Sequence, residues 1–152
     1  MLYTIKELRN DEAIPLDLLL LADPSKEAIH DYLSRGACYV AIQNNVIVGS
    51  YIMCETRPMT VEIMNIAVDV PFQNQGIGKA LLQDAFERAI LQGAKMIEIG
   101  TGNSSIQQLA FYQKCGFRIV GIDTDYFIRH YDEEIYEFGI RCVDMIRLRK
   151  YL

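Results

Sequence analysis

The chain is poor in histidine, poor in paired cysteines, short of basic charge and without a long apolar run, and each shortage excludes a class of protein. With only His30 and His130, neither a His-rich metal site nor a Cys-His thiol centre has the necessary local spacing, so no metal is expected. Cys38, Cys54, Cys115 and Cys142 form no CxxC pair and lie among apolar neighbours, which is the pattern of reduced core residues. The longest aliphatic run, Leu18 to Ala22, is far too short to span a bilayer, and Met1 to Glu12 mixes charges without the apolar centre of a leader. The expectation is a soluble, cytoplasmic protein with no membrane contact. Lys and Arg number 15 against 20 Asp and Glu, a net charge of −5, which argues against nucleic acid as a partner. The imbalance has an address: residues 123–140 hold six acids (Asp123, Asp125, Asp132, Glu133, Glu134, Glu137) and one base (Arg129), leaving 14 of each sign elsewhere.

A chain of 152 residues should bury roughly 68–70% of its unfolded surface, enough for a core without metal or disulfide staples. It contains no repeat, low-complexity tract or linker, so residues 1–152 read as one domain. Periodicity alternates between strand and helix. Tyr3 to Leu8 reads as a short strand, followed by helices over about 14–22 and 25–34, the second capped by Ser25 and stopped by Gly36. Ala37–Gln43 and Val46–Cys54 are β-rich runs joined by Asn44-Asn45, a hairpin turn. In the strand over 60–70, Val61 and Ile63 share one parity while Met64, Ile66, Val68 and Val70 share the other. One face can bury both sets only if an extra residue is inserted, so a bulge is predicted near Ile63 to Asn65. A helix from Ile77 follows, with Leu81, Leu82, Ala85, Phe86, Ala89 and Ile90 on its apolar face and Gly93 as its stop. A strand over 95–101, a helix over about 105–115 with Ser104 and Gln107 in capping-box spacing, a strand over 117–122 and a last strand near 142–149 complete the order. Such an order implies a mixed sheet flanked by helices, with helix 77–92 as a parallel crossover between strands 60–70 and 95–101.

Gln73-Asn74-Gln75-Gly76-Ile77-Gly78-Lys79 lies between a strand end and the start of a helix, where unpaired N–H groups and the helix dipole favour an anion. The local pattern leaves phosphate binding and simple helix initiation equally open. The dinucleotide fingerprint fails because Leu81 stands where a third Gly or Ala is needed, and the chain also lacks a repeated βαβ half. A Walker loop fails at Ala80, which replaces its Ser or Thr.

The Gln-x-x-Gly-x-Gly segment after Ile66-Ala67-Val68, then Asn103, then Phe111-Tyr112-Gln113-Lys114-Cys115-Gly116-Phe117, together resemble the GCN5-related N-acetyltransferase (GNAT) family over about residues 37–122. That resemblance implies an α/β (α+β) fold with a mixed, mostly antiparallel sheet of about seven strands and about four helices, splayed between strands 60–70 and 95–101. It implies acetyl-CoA as cosubstrate, with its pyrophosphate on the backbone of Gln73, Asn74, Gln75, Gly76, Ile77, Gly78 and Lys79. The pantetheine arm would lie along Ile66, Ala67 and Val68, with a further contact at Asn103. Tyr112 would be the general acid near the thioester sulfur. Glu62, on the bulged strand, is the candidate base, with Glu98 a weaker substitute and a water chain the alternative.

Five of the chain's aromatics (Tyr126, Phe127, Tyr131, Tyr136, Phe138) interleave with the acids of 123–140. If that segment borders the cleft it favours a cationic amine, such as a polyamine, an aminosugar or a peptide amine. The alternative is a solvated hairpin packed on the sheet or on a second copy, and homodimers are common in families of this kind. A non-catalytic acyl-CoA-binding module is the competing function, against which stand both Tyr112 and an intact Gln73 to Gly78 loop.

Overall fold

The computed structural model describes residues 3–152; Met1 and Leu2, the start of the segment read for a leader, lie outside them. The elements are β1 (Thr4–Glu7), α1 (Leu16–Ala22), α2 (Lys26–Arg35), β2 (Ala37–Gln43), β3 (Val46–Arg57), β4 (Thr60–Val68), α3 (Ile77–Leu91), β5 (Met96–Gly102), α4 (Ile106–Lys114), β6 (Arg118–Asp123), α5 (Tyr126–His130), β7 (Tyr136–Glu137), β8 (Ile140–Arg141) and β9 (Met145–Tyr151). Seven strands form one sheet in the order β1-β2-β3-β4-β5-β9-β6, and β7 pairs with β8 as a separate ribbon. Every neighbour in the large sheet is antiparallel except β4 and β5, the parallel pair that α3 connects. Among the described residues no helix is long and apolar enough to cross a membrane.

Local chemistry accounts for most boundaries. Asn44 (φ 52°) and Asn45 (φ 63°) form the two-residue turn between β2 and β3. Ser25 Oγ accepts the Ala28 N–H at 3.1 Å and starts α2. In the β3–β4 ladder Ile52 faces Asn65 and Met53 faces Ile63, so Met64 is the inserted residue. The bulge lets Val61 and Ile63 before it, and Ile66 and Val68 after it, all reach the core beneath α3. A second core on the opposite face gathers Leu19, Ile29, Tyr32, Val40 and Ile52 beneath α1 and α2. Cys38, Cys54 and Cys142 are buried free thiols, and Cys115 is only half-buried.

Four details differ from the sequence reading. Ile90 is 56% exposed, because at 100° per residue it lies about 40° beyond Phe86, already the edge of the buried stripe. The Ser104–Gln107 capping box does not form: Ser104 and Ser105 both donate their hydroxyls to Glu137 Oε1, at 3.2 and 2.7 Å. The last strand starts at Met145, since the N–H groups of Val143 and Asp144 donate to the Asn103 side chain instead of a ladder. A fifth helix, the single turn α5, stands inside the acidic stretch.

Candidate active site

The parallel ladder joins Thr60–Ile63 to Met96–Ile99 and stops there. Beyond it the bulge at Met64 bends β4 away from β5, and a cleft of about 1430 Å³ opens through the sheet. Its walls bring together the outer edge of β4, the loop before α3, Tyr112 of α4, the aromatics of α5 and Arg147 of β9.

At one end stands the N-terminus of α3. Asn74 (φ 61°) and Gly76 (φ 85°) turn the loop through left-handed conformations. A Cβ added to Gly76 meets nothing within 4 Å, so glycine is needed there for conformation rather than for space. Gln73 donates its side-chain amide to the Val68 carbonyl at 2.9 Å and pins the loop to the end of β4. No side chain caps α3, which leaves the first-turn N–H groups, including those of Ile77, Gly78 and Lys79, free for an anion. Ile66, Ala67 and Val68 line the same cleft on the edge of β4 that β5 has left. An uncapped helix start beside an unpaired strand edge fits a pyrophosphate joined to an amide-bearing arm, which are the features of coenzyme A.

Tyr112 packs its ring against Phe111 and Phe117, with centroids 5.7 and 6.0 Å away. Burial raises its phenol above the ordinary tyrosine range, so the oxygen keeps its proton. Asn103 does not join this group. Its amide donates to the Arg141 carbonyl at 3.1 Å and its oxygen accepts from the N–H groups of Val143 and Asp144, which places it outside the cleft lining. The residue expected to contact the cofactor thus ties the start of α4 to the backbone of 141–144.

Glu62 and Glu98 face each other across the β4–β5 ladder. Like charges side by side need compensation, and β9 supplies it together with Arg57 at the end of β3. Glu98 takes hydrogen bonds from Arg57 (3.2 and 3.1 Å) and Arg149 (2.8 Å). Burial works to raise the Glu98 pKa, but the two guanidinium groups outweigh it and hold the carboxyl below the usual carboxylate range. Glu98 also lies outside the cleft, so it is not the substitute base. Glu62 lines the cleft, is 8% exposed, and accepts from Arg147 Nη2 at 2.8 Å. Arg147 stands opposite Gly100 on β5, and the space over that glycine is taken by the Met145 side chain, whose sulfur would lie 2.6 Å from an added Cβ.

At the far end Asp23 accepts from the hydroxyls of Tyr131 (2.8 Å) and Tyr32 (3.1 Å), joining α5 to the corner between α1 and α2. Tyr32 in turn accepts from Asn65 Nδ2 at 2.9 Å. The aromatics Tyr126, Phe127 and Tyr131 of the 123–140 segment line the cleft, whereas of its six acids only Glu137 does. Asp123 and Glu134 pair instead with Arg129 and Arg141. Sequence reasoning missed Arg147 and the Asn65–Tyr32–Asp23 chain. The available signal was the i, i+2 spacing of Arg147 and Arg149, which puts two bases on one face of a strand.

A splayed mixed sheet with an uncapped, glycine-led helix at the splay is the architecture of an acyltransferase site. The chain belongs to the acetyltransferase (GNAT) family, whose model matches residues 3–117. It is 58% identical over 142 residues to the uncharacterized N-acetyltransferase YvbK of Bacillus subtilis (strain 168), covering 93% of this chain and 90% of that one. Among solved structures it is similar to a GNAT family acetyltransferase from Elizabethkingia anophelis with acetyl-CoA bound, at 50% identity and TM-score 0.97 over 99% and 98% of the two chains. It is also similar in fold to the IAA acetyltransferase from Bacillus cereus ATCC 14579, at 55% identity and TM-score 0.95 over 99% of each. The protein is an acetyltransferase.

Proposed function

We propose that the protein moves the acetyl group of acetyl-CoA onto a free amine by direct attack, with residues 1–152 acting as one catalytic domain. The observation that carries this reading is that a single cleft is lined both by Glu62 and by the loop from Gln73 to Lys79, all but Gln75, whose amide donates to the Pro71 carbonyl instead. Acetyl-CoA supplies an acetyl thioester whose C–S bond breaks as the C–N bond to the acceptor forms. The backbone of Gln73, Asn74, Gln75, Gly76, Ile77, Gly78 and Lys79 holds the pyrophosphate, and the free edge of Ile66, Ala67 and Val68 pairs with the pantetheine amides. Glu62, directly or through water, takes the proton the nitrogen loses on attack, and Tyr112 gives its hydroxyl proton to the departing sulfur. Burial keeps the Cys142 thiol in the cleft protonated, so that thiol is no ready nucleophile for a covalent route.

Thiol release from acetyl-CoA against a panel of primary amines, with mass spectrometry of the products, tests the reading. Amide products from at least one class of amine are expected. Esters as the sole products, or tight acetyl-CoA binding with no amide from any amine, would overturn it.

A further inference from the structure

Arg147 has more to give than it uses. Its guanidinium carries five N–H donors. Nη2 donates to Glu62 at 2.8 Å, while Nη1 has only the Met145 thioether, at 3.2 Å, and a thioether is a weak acceptor. The side chain lines the cleft and is 33% exposed, so it can meet a ligand there. The other bases lining the cleft are placed differently. Arg35 is bonded to Asp31 on α2, Lys79 and Lys114 stand on α3 and α4, and His130 stands on α5. Arg147 is therefore the guanidinium in contact with the candidate base.

We infer that the acceptor is an α-amino acid or a close relative, bound as a zwitterion, with its amino group at Glu62 and its carboxylate in the fork of Arg147. This rests on the amine-transfer reading above and deepens it. A carboxylate and a guanidinium in direct contact form a plus–minus pair of fixed spacing. An α-amino acid carries its ammonium and carboxylate on one carbon, so it lies against such a pair with each charge facing its opposite. A planar fork recognises a carboxylate through two parallel hydrogen bonds, which a simple amine or an amino-acid amide has no means of accepting. The cleft wall beyond the pair is aromatic, with Tyr32, Tyr126, Phe127 and Tyr131, and suits an apolar or aromatic side chain on that carbon.

The test compares three acceptors with one side chain and different head groups: L-phenylalanine, L-phenylalaninamide and phenethylamine, with glycine, glycinamide and methylamine as a second set. Thiol release is followed in the wild type, Arg147→Gln and Arg147→Lys, and melting temperatures are measured alongside. The wild type should prefer the amino acids in kcat/KM by about 10- to 100-fold, the value of a lost charge-assisted hydrogen bond. Arg147→Gln should bring that ratio near one, mainly by raising KM for the amino acids. Arg147→Lys, which keeps a cation beside Glu62 and so guards against simple misfolding, should recover only part of the preference. Equal or better turnover of the amides and amines by the wild type, or a preference that survives in Arg147→Gln, overturns this inference and leaves amine transfer intact. No amide from any of the six acceptors, nor from the wider amine panel, overturns both.

Discussion

Replacing Tyr112 by Phe isolates chemistry from packing better than any other single change in the cleft. The ring is held by Phe111 and Phe117, and phenylalanine keeps both contacts. The hydroxyl lowers no stability by leaving, because burial and the nearby Cys115, not a hydrogen bond, account for its raised pKa. The folding cost should then stay within about 0.5 kcal/mol, a shift of the melting temperature under about 2 °C for a chain of this size. Losing a positioned general acid costs about 10²-fold or more in rate, equivalent to about 2.7 kcal/mol of barrier. The assay is kcat for thiol release at saturating acetyl-CoA and acceptor, with calorimetric binding of acetyl-CoA as the control, which should be unchanged. Because burial keeps the phenol protonated, the wild-type rate should show no alkaline limb from Tyr112 between about pH 6 and 9. A kcat within threefold of wild type would remove Tyr112 from the chemistry. A large loss accompanied by a fall of several degrees in melting temperature would make it a packing residue instead.

Three further outcomes are expected. Glu62→Gln should lower kcat about 10²-fold near neutrality and recover as pH rises and more of the acceptor amine is already unprotonated; an equal loss at every pH in the pH–rate profile would assign Glu62 a structural role. Gly76→Ala forces a side chain into φ 85°, which costs about 1–2 kcal/mol, and should lower the melting temperature by about 2–8 °C while raising KM for acetyl-CoA. Unchanged melting and KM together would refute the account of that loop. Glu98 has a folded pKa below its unfolded value, so its contribution is present above the ordinary carboxylate range and is lost as pH falls through the folded value. Thermal denaturation should therefore show Glu98→Gln less stable than wild type at neutral pH, with the gap closing on acidification below about pH 4; a gap independent of pH would mean the charge is not what stabilises.

How much of this was legible in the sequence depends on how far apart in the chain the interacting groups lie. The Asn44-Asn45 turn, the Ser25 cap, the bulge at Met64 and the helix starting at Ile77 depend on neighbours within a turn or a strand, where φ preferences and side-chain period act directly. The Gln73–Gly78 loop belongs with them, since an anion site at a helix start needs only a local run of residues. Charge balance, by contrast, misled in part: the acids of 123–140 were visible, but composition carries no direction, and the structure turns the aromatics of that segment into the cleft while only Glu137 of its acids follows.

Tertiary structure alone decided the far-sequence pairings. Inserting β9 between β5 and β6 carries Arg147 to Glu62 across 85 positions, and it carries Arg149 to Glu98, where with Arg57 it holds that carboxyl below the ordinary range and outside the cleft. It also commits Asn103 to the backbone of 141–144. A strand pattern states that one face will be buried but does not say against which strand, so the partners of a buried charge stay unwritten until the sheet order is known. By itself the sequence determined most of the elements and the glycine-led loop before α3, and through its family resemblance it offered Tyr112 and Glu62 as candidates for proton transfer. The fold determined which charges meet in the cleft, because a buried carboxylate is stabilised by whichever donor the sheet brings within hydrogen-bond reach.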